Sequence, residues 1–169
     1  MATCSTIAQT FFSDGFVCPI TVMSEPKAND YRRQLEKAEQ RYGTCDEFVQ
    51  CLRRYPNLLL PFVDEITRNA EITDIIAEIL GPNLLVLDAP FFIKEPKSPS
   101  FVSWHQDLHY WGLETEDEVT AWVALSSAKK ESGCMRFLAG SHNQLVNHRD
   151  TFDTDNLLTR GQEVVTKVD

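Results

Sequence analysis

A chain of 169 residues with 43% hydrophobic and 24% charged residues has the composition of one globular domain with a real core. Its formal net charge of −9 excludes a nucleic-acid groove, which needs concentrated positive charge; the basic pairs Arg32-Arg33, Arg53-Arg54 and Lys129-Lys130 read as solvated faces. No apolar run nears the ~20 residues of a membrane span and no secretory segment opens the chain, so the five cysteines (Cys4, Cys18, Cys45, Cys51, Cys134), without a C-x-x-C, read as reduced thiols of a cytoplasmic protein.

The amino-terminal half carries helix signals. Ser24 suits an N-cap with Pro26 in the first turn, and Ala28, Tyr31, Leu35, Ala38 and Tyr42 follow one helix face up to Gly43, a residue suited to the left-handed C′ position. Further helices are expected over about 46–54, stopping before Pro56, and over about 58–68. A fourth carries Ile72, Ile75, Ile76, Ile79 and Leu80 and ends at Gly81-Pro82. Phe11, Phe12, Phe16, Phe62 and Phe91 are expected in the core.

After Gly81 the pattern changes. Segments 84–93, 101–111, 119–126, 134–138 and 163–168 read as strands, separated by the Pro96/Pro99 loop, an acidic turn at 114–118 and a turn at 129–133. Helices first and strands later predict an α+β protein with a barrel or jelly roll as its β part.

Within 101–111 lies His105-Gln106-Asp107. In a strand, positions i and i+2 share a face, so an imidazole and a carboxylate converge, two thirds of the 2-His-1-carboxylate set of non-haem Fe(II). The triplet alone is weak evidence, because a buried His–Asp hydrogen bond without metal satisfies the same residues. His109 falls on the same nominal face, but a facial set needs a ligand from elsewhere, so a pocket or supporting role is preferred for it. Gln106 should point away, and Trp104 and Trp111 read as packing residues. A second H-x-D, His148-Arg149-Asp150, lies in a polar stretch without strand periodicity; it matches a kinase catalytic loop only in its first three residues, because Asp155 stands where that motif needs Asn.

The wider pattern is more specific. Gly81-Pro82-Asn83, Phe92-Ile93-Lys94-Glu95-Pro96, Trp104-His105-Gln106-Asp107-Leu108-His109-Tyr110, Thr120-Ala121-Trp122-Val123-Ala124-Leu125, Glu131-Ser132-Gly133-Cys134 and Gly140-Ser141-His142 together resemble the phytanoyl-CoA dioxygenase family in order and spacing. The resemblance runs from about Phe11 to the end. It implies a double-stranded β-helix (a cupin-like jelly roll) with amino-terminal helices packed on one sheet. The expected layout is a single domain over 1–169, helical over about 5–81 and jelly roll over about 83–169. It implies Fe(II), 2-oxoglutarate as cosubstrate and O2 as oxidant, acting on an unactivated C–H bond of a small organic molecule.

Carried over by position, His105 and Asp107 match iron ligands and catalytic residues, Trp122 a residue against 2-oxoglutarate, Lys94 the lysine of the family's K-x-P segment near the cosubstrate, and His142 a structural histidine. The carboxylate at Asp107 speaks against a halogenase, whose relatives lack it. Ser132 and Ala139 replace the family's usual Asn and Pro in turns, where local effects are expected. The family's second iron histidine and the arginine pairing with the far carboxylate of 2-oxoglutarate have no match: no histidine follows His148, and beyond Arg149 of that H-x-D the one later arginine is Arg160. The expectation is an incomplete dioxygenase domain with its last strands absent. The alternatives are a non-catalytic binding or scaffold protein with the same fold, or a cupin-like metal protein without cosubstrate. Oligomeric state and substrate are left open.

Overall fold

Among the described residues six helices precede residue 81. The computed structural model describes residues 5–115 and 117–168; Cys4 lies outside the described residues, as do the side chains of Arg53, Arg54 and Tyr110. Helix α1 (Thr6–Asp14) begins where the Ser5 hydroxyl accepts the Ala8 N–H, and it ends at Gly15 in the left-handed region (φ 83°). Helix α2 (Glu25–Tyr42) follows the spacing expected of it: Ser24 caps it by accepting from the Lys27 N–H, and Tyr31 and Leu35 are buried on one face. Gly43 differs from expectation. It stays right-handed (φ −64°) because its N–H continues the helical bonding to the Glu39 carbonyl, at 2.7 Å.

Helix α3 (Asp46–Arg54) stops ahead of Pro56. The single helix expected over 58–68 is two, α4 (Pro56–Leu59) and α5 (Pro61–Thr67). Each starts on a proline, because proline suits the first turn of a helix but cannot donate to a preceding one. Helix α6 (Ala70–Leu80) is capped by Asn69, which accepts from the Glu71 N–H and also donates to the Val22 carbonyl at 3.1 Å. No helix among the described residues is long and apolar enough to cross a membrane.

The core is built by Tyr31 and Leu35 of α2, Leu52 of α3, Leu60, and Phe62 and Val63 of α5. Ala89, Phe91 and Leu125 from the second half pack against it, with the Phe62 and Phe91 rings 6.2 Å apart. Segment 84–93 thus turns Ala89 and Phe91 inward while Leu85 is 91% exposed. Of the phenylalanines expected inside, Phe12 is exposed and Phe16 is half-buried, stacked on Phe137 at 4.7 Å. Phe12 lies on the outer side of an amphipathic helix, where one apolar residue costs little.

The second half departs most from expectation. Among the described residues the ladder is one antiparallel pair, β1 (His148–Asp150) with β2 (Gln162–Val164), Arg149 opposite Glu163, together with a parallel bridge between Phe101 and Asn156. Segments 84–93, 119–126 and 134–138 show no ladder, and 108–111 winds into one helical turn, α7 (Leu108–Trp111). Apolar alternation reports a buried face, whereas a strand in a sheet also needs a backbone partner in register. The His148-Arg149-Asp150 stretch, expected to be irregular, is β1 itself; its polar character is answered across the pair, where Arg149 meets Glu163 at 2.9 Å. Ser132 closes its turn by accepting the Lys129 N–H at 2.8 Å. Cys18, Cys45, Cys51 and Cys134 are unbridged.

Candidate functional site

Residues 101–107 reach the site by being tied to 155–164. Phe101 donates its N–H to the Asp155 carbonyl and accepts from the Leu157 N–H, and Val164 donates to the Trp104 carbonyl at 2.9 Å. Ser103 adds a side-chain tie: its hydroxyl donates to the Gln162 carbonyl and accepts from buried Asn156 at 2.8 Å. The His105-Gln106-Asp107 triplet is therefore not on a strand; it is irregular chain leading into α7, with Asp107 at the position before that helix (φ −59°, ψ −50°). The predicted convergence holds nonetheless. His105 Nε2 stands 3.0 Å from Asp107 Oδ1.

The tautomer of His105 follows from its other nitrogen. Nδ1 lies 2.8 Å from the Ser103 carbonyl, which only accepts, so Nδ1 carries the hydrogen. In the neutral ring Nε2 then presents a lone pair to a carboxylate oxygen. Two lone pairs 3.0 Å apart call for a cation between or beside them, either a proton on Nε2 or a metal ion. Burial, the largest single influence on His105, lowers its proton affinity; the Asp107 hydrogen bond, the Ser103 carbonyl and the Asp107 charge together outweigh it and raise the pKa. Asp107 is held below the usual carboxylate range by the His105 bond, against burial, with help from the Thr120 hydroxyl. The donor set fits a divalent metal: two donors at right angles, each about 2.1 Å from one ion, lie about 3.0 Å from each other.

Gln106, between the two, points away as expected and grips a different segment. Its amide nitrogen donates to the Ser141 and Gln144 carbonyls, at 3.1 and 2.8 Å, and its oxygen accepts the Val146 N–H. Its backbone N–H donates to His148 Nε2 at 2.9 Å, and His148 Nδ1–H donates to the Val146 carbonyl. Both ring nitrogens of His148 are thereby engaged. Burial lowers its pKa, with the nearby His109 and His105 charges acting in the same direction. His109 stacks on His148 with ring centroids 4.4 Å apart.

The other predicted residues are spread more widely. Trp122 lies two residues beyond Thr120, whose hydroxyl donates to Asp107 Oδ2 at 2.8 Å. Lys94 donates to the Gly133 carbonyl at 3.1 Å. His142 has a packing role: Nε2–H donates to the Phe12 carbonyl, and its ring lies where a Cβ on Gly15 would be, 2.4 Å from Nδ1. Arg160 is bonded to Asp150 through Nε at 2.9 Å. Trp104 lies under the Arg136 guanidinium, 5.1 Å from the ring centroid. Among the described residues no third His, Cys, Asp or Glu joins the pair in a cluster of metal-binding size.

Sequence reasoning missed two contributors. Thr120 had a findable signal, its alternation with Trp122 in a segment already singled out. Glu118, two residues earlier, had none: burial first, then the Asp107 charge, push its carboxyl up to about 7.

A probable alpha-ketoglutarate-dependent hypophosphite dioxygenase of Stutzerimonas stutzeri is 30% identical over 107 residues, 62% of this chain and 37% of that protein. A phytanoyl-CoA dioxygenase domain-containing protein 1 homolog of Caenorhabditis elegans is 31% identical over 87 residues, 51% and 30% of the two chains. The human peroxisomal phytanoyl-CoA dioxygenase is 31% identical over 74 residues, 41% and 22% of the two. The match thus spans roughly a third or less of the length of these relatives. No solved structure matches the chain. The phytanoyl-CoA dioxygenase (PhyH) family model matches residues 12–164, nearly all of the sequence, and the chain belongs to that family.

Proposed function

We propose that His105 and Asp107 hold Fe(II) in a 2-oxoglutarate-dependent dioxygenase that hydroxylates an unactivated C–H bond of a small organic substrate. The carrying observation is the facing pair, Nε2 and Oδ1 3.0 Å apart, with the second imidazole nitrogen committed to the Ser103 carbonyl. A metal-bound histidine needs that fixed tautomer. The family, and the alpha-ketoglutarate dependence in the name of the Stutzerimonas relative, support the same chemistry. Iron, 2-oxoglutarate and O2 supply the oxidising power when bound, one oxygen atom going to substrate and the other to succinate as CO2 is released.

This chain's residues bind and orient. His105 and Asp107 hold the ion, Ser103 and Thr120 fix them, and Trp122 and Lys94 are the proposed contacts for the cosubstrate. In this proposal none of the described residues takes the role of third ligand or of arginine for the far carboxylate. Two observations support leaving His148 and Arg160 out of those roles: both ring nitrogens of His148 are engaged, and Arg160 is bound to Asp150. The relatives are named for substrates as unlike as hypophosphite and phytanoyl-CoA, so the family does not fix the substrate of this chain.

Anaerobic Fe(II) titration of the chain and of Asp107→Ala tests the reading. Weak binding that the substitution abolishes is expected, with a visible absorption change on adding 2-oxoglutarate. Equal binding by both proteins would refute the metal assignment. Tight stoichiometric binding with 2-oxoglutarate turnover by this chain alone would show that its own residues supply the third ligand and the cosubstrate's cation.

A further inference from the structure

We propose that Thr120 is a positioning residue that keeps Asp107 a one-oxygen ligand; this rests on the metal reading above. The two oxygens of Asp107 have different partners. Oδ1 faces His105 Nε2 at 3.0 Å, and Oδ2 accepts from Thr120 Oγ1 at 2.8 Å. A carboxylate at the position before a helix ordinarily turns to the free backbone N–H groups of the first turn. Asp107 makes no such capping bond, so neither oxygen is spent on α7.

The consequence concerns the count of open positions. A carboxylate free to rotate about its Cβ–Cγ bond can bring both oxygens onto a metal, consuming a position that a cosubstrate needs. The Thr120 hydroxyl occupies Oδ2 and leaves Oδ1 alone on the His105 side. Threonine suits the task because its β-branch restricts χ1, so the hydroxyl is held where the carboxylate meets it. Because Thr120 comes from a segment separate from the triplet, it also ties 119–126, with Trp122, to the site.

Co(II) titration, read by calorimetry and by the visible ligand-field bands, tests this on the chain itself. Four proteins are compared: wild type, Thr120→Val, Thr120→Ser and Asp107→Ala, with circular dichroism as the check on folding. Thr120→Val is expected to weaken Co(II) binding by about 10- to 100-fold and to change the band intensities, the usual cost of losing a bond to a metal ligand. Thr120→Ser, which keeps the hydroxyl, is expected to stay within about threefold of wild type and to keep its spectrum. Should the valine variant misfold, Thr120→Ala makes the same measurement, since the residue is exposed. Wild-type affinity and spectrum in Thr120→Val, or a serine variant as weak as the valine one, overturns the proposal while leaving the metal site standing. Equal binding by wild type and Asp107→Ala overturns the metal reading and this one with it.

Discussion

At the scale of single residues, the site is a small set of charges whose partners are already assigned, and Glu118 is the exception. Its carboxyl, pushed up to about 7 by burial and by the Asp107 charge, holds a proton that the unfolded chain has released above about 4.5. A folded pKa above the unfolded one stabilises at low pH, so this contribution falls as pH climbs from about 4.5 to about 7 and is flat beyond. For a half-buried group the loss is about 1 kcal/mol after solvent screening. Urea midpoints of the metal-free protein at pH 4.5 and 7.5 should differ less in Glu118→Gln than in wild type, and an unchanged difference contradicts the assignment. Gln106 makes the complementary point. Its side chain bonds Ser141, Gln144 and Val146, so Gln106→Ala should cost about 1–2 kcal/mol and speed hydrogen exchange at the Val146 amide. Exchange that stays slow at Val146 would show that the turn holds itself.

Among the elements, the caps decide where helices begin. Asn69 satisfies the first turn of α6 and also the Val22 carbonyl, joining that helix to the chain ahead of α2. Asn69→Ala should lower stability by about 1–2 kcal/mol in a thermal or urea melt, more than the loss of a cap alone. The helices were legible because their signals are local: Ser24 with Pro26, the Tyr31–Leu35 face, and the stop at Gly81 each depend on a few neighbouring residues. The split at Pro61 was legible in principle from proline's missing donor. The β half was not. The apolar run 84–93 reads as a buried segment, and Phe91 does turn inward, with Ala89, but ladder partners are set by distant chain, which one segment's pattern does not contain. The His105–Asp107 pair was found for a partly wrong reason. Strand geometry predicted their convergence, whereas irregular backbone tied by Ser103 and Val164 produces it.

For the whole molecule, one core joins the two halves. Phe62 touches Tyr31 on the helical side and Phe91 on the other, so Phe62→Ala should cost about 3–5 kcal/mol and loosen both together in a single transition. Two separated transitions would show that the halves are stabilised independently. A second junction has its consequence in time rather than in energy. Helix α1 is fastened at its far end by the His142 ring over Gly15 and by Phe137 over Phe16. On the ribosome this helix emerges before its clasp, which is made some 130 positions later. Phe137 follows Phe16 by about 120 positions, so at about 5–20 residues per second the Phe16 ring stays uncovered for about 6–24 seconds of synthesis. A nascent chain of this protein therefore offers chaperones an aromatic handle at Phe16, withdrawn only once Phe137 has been made.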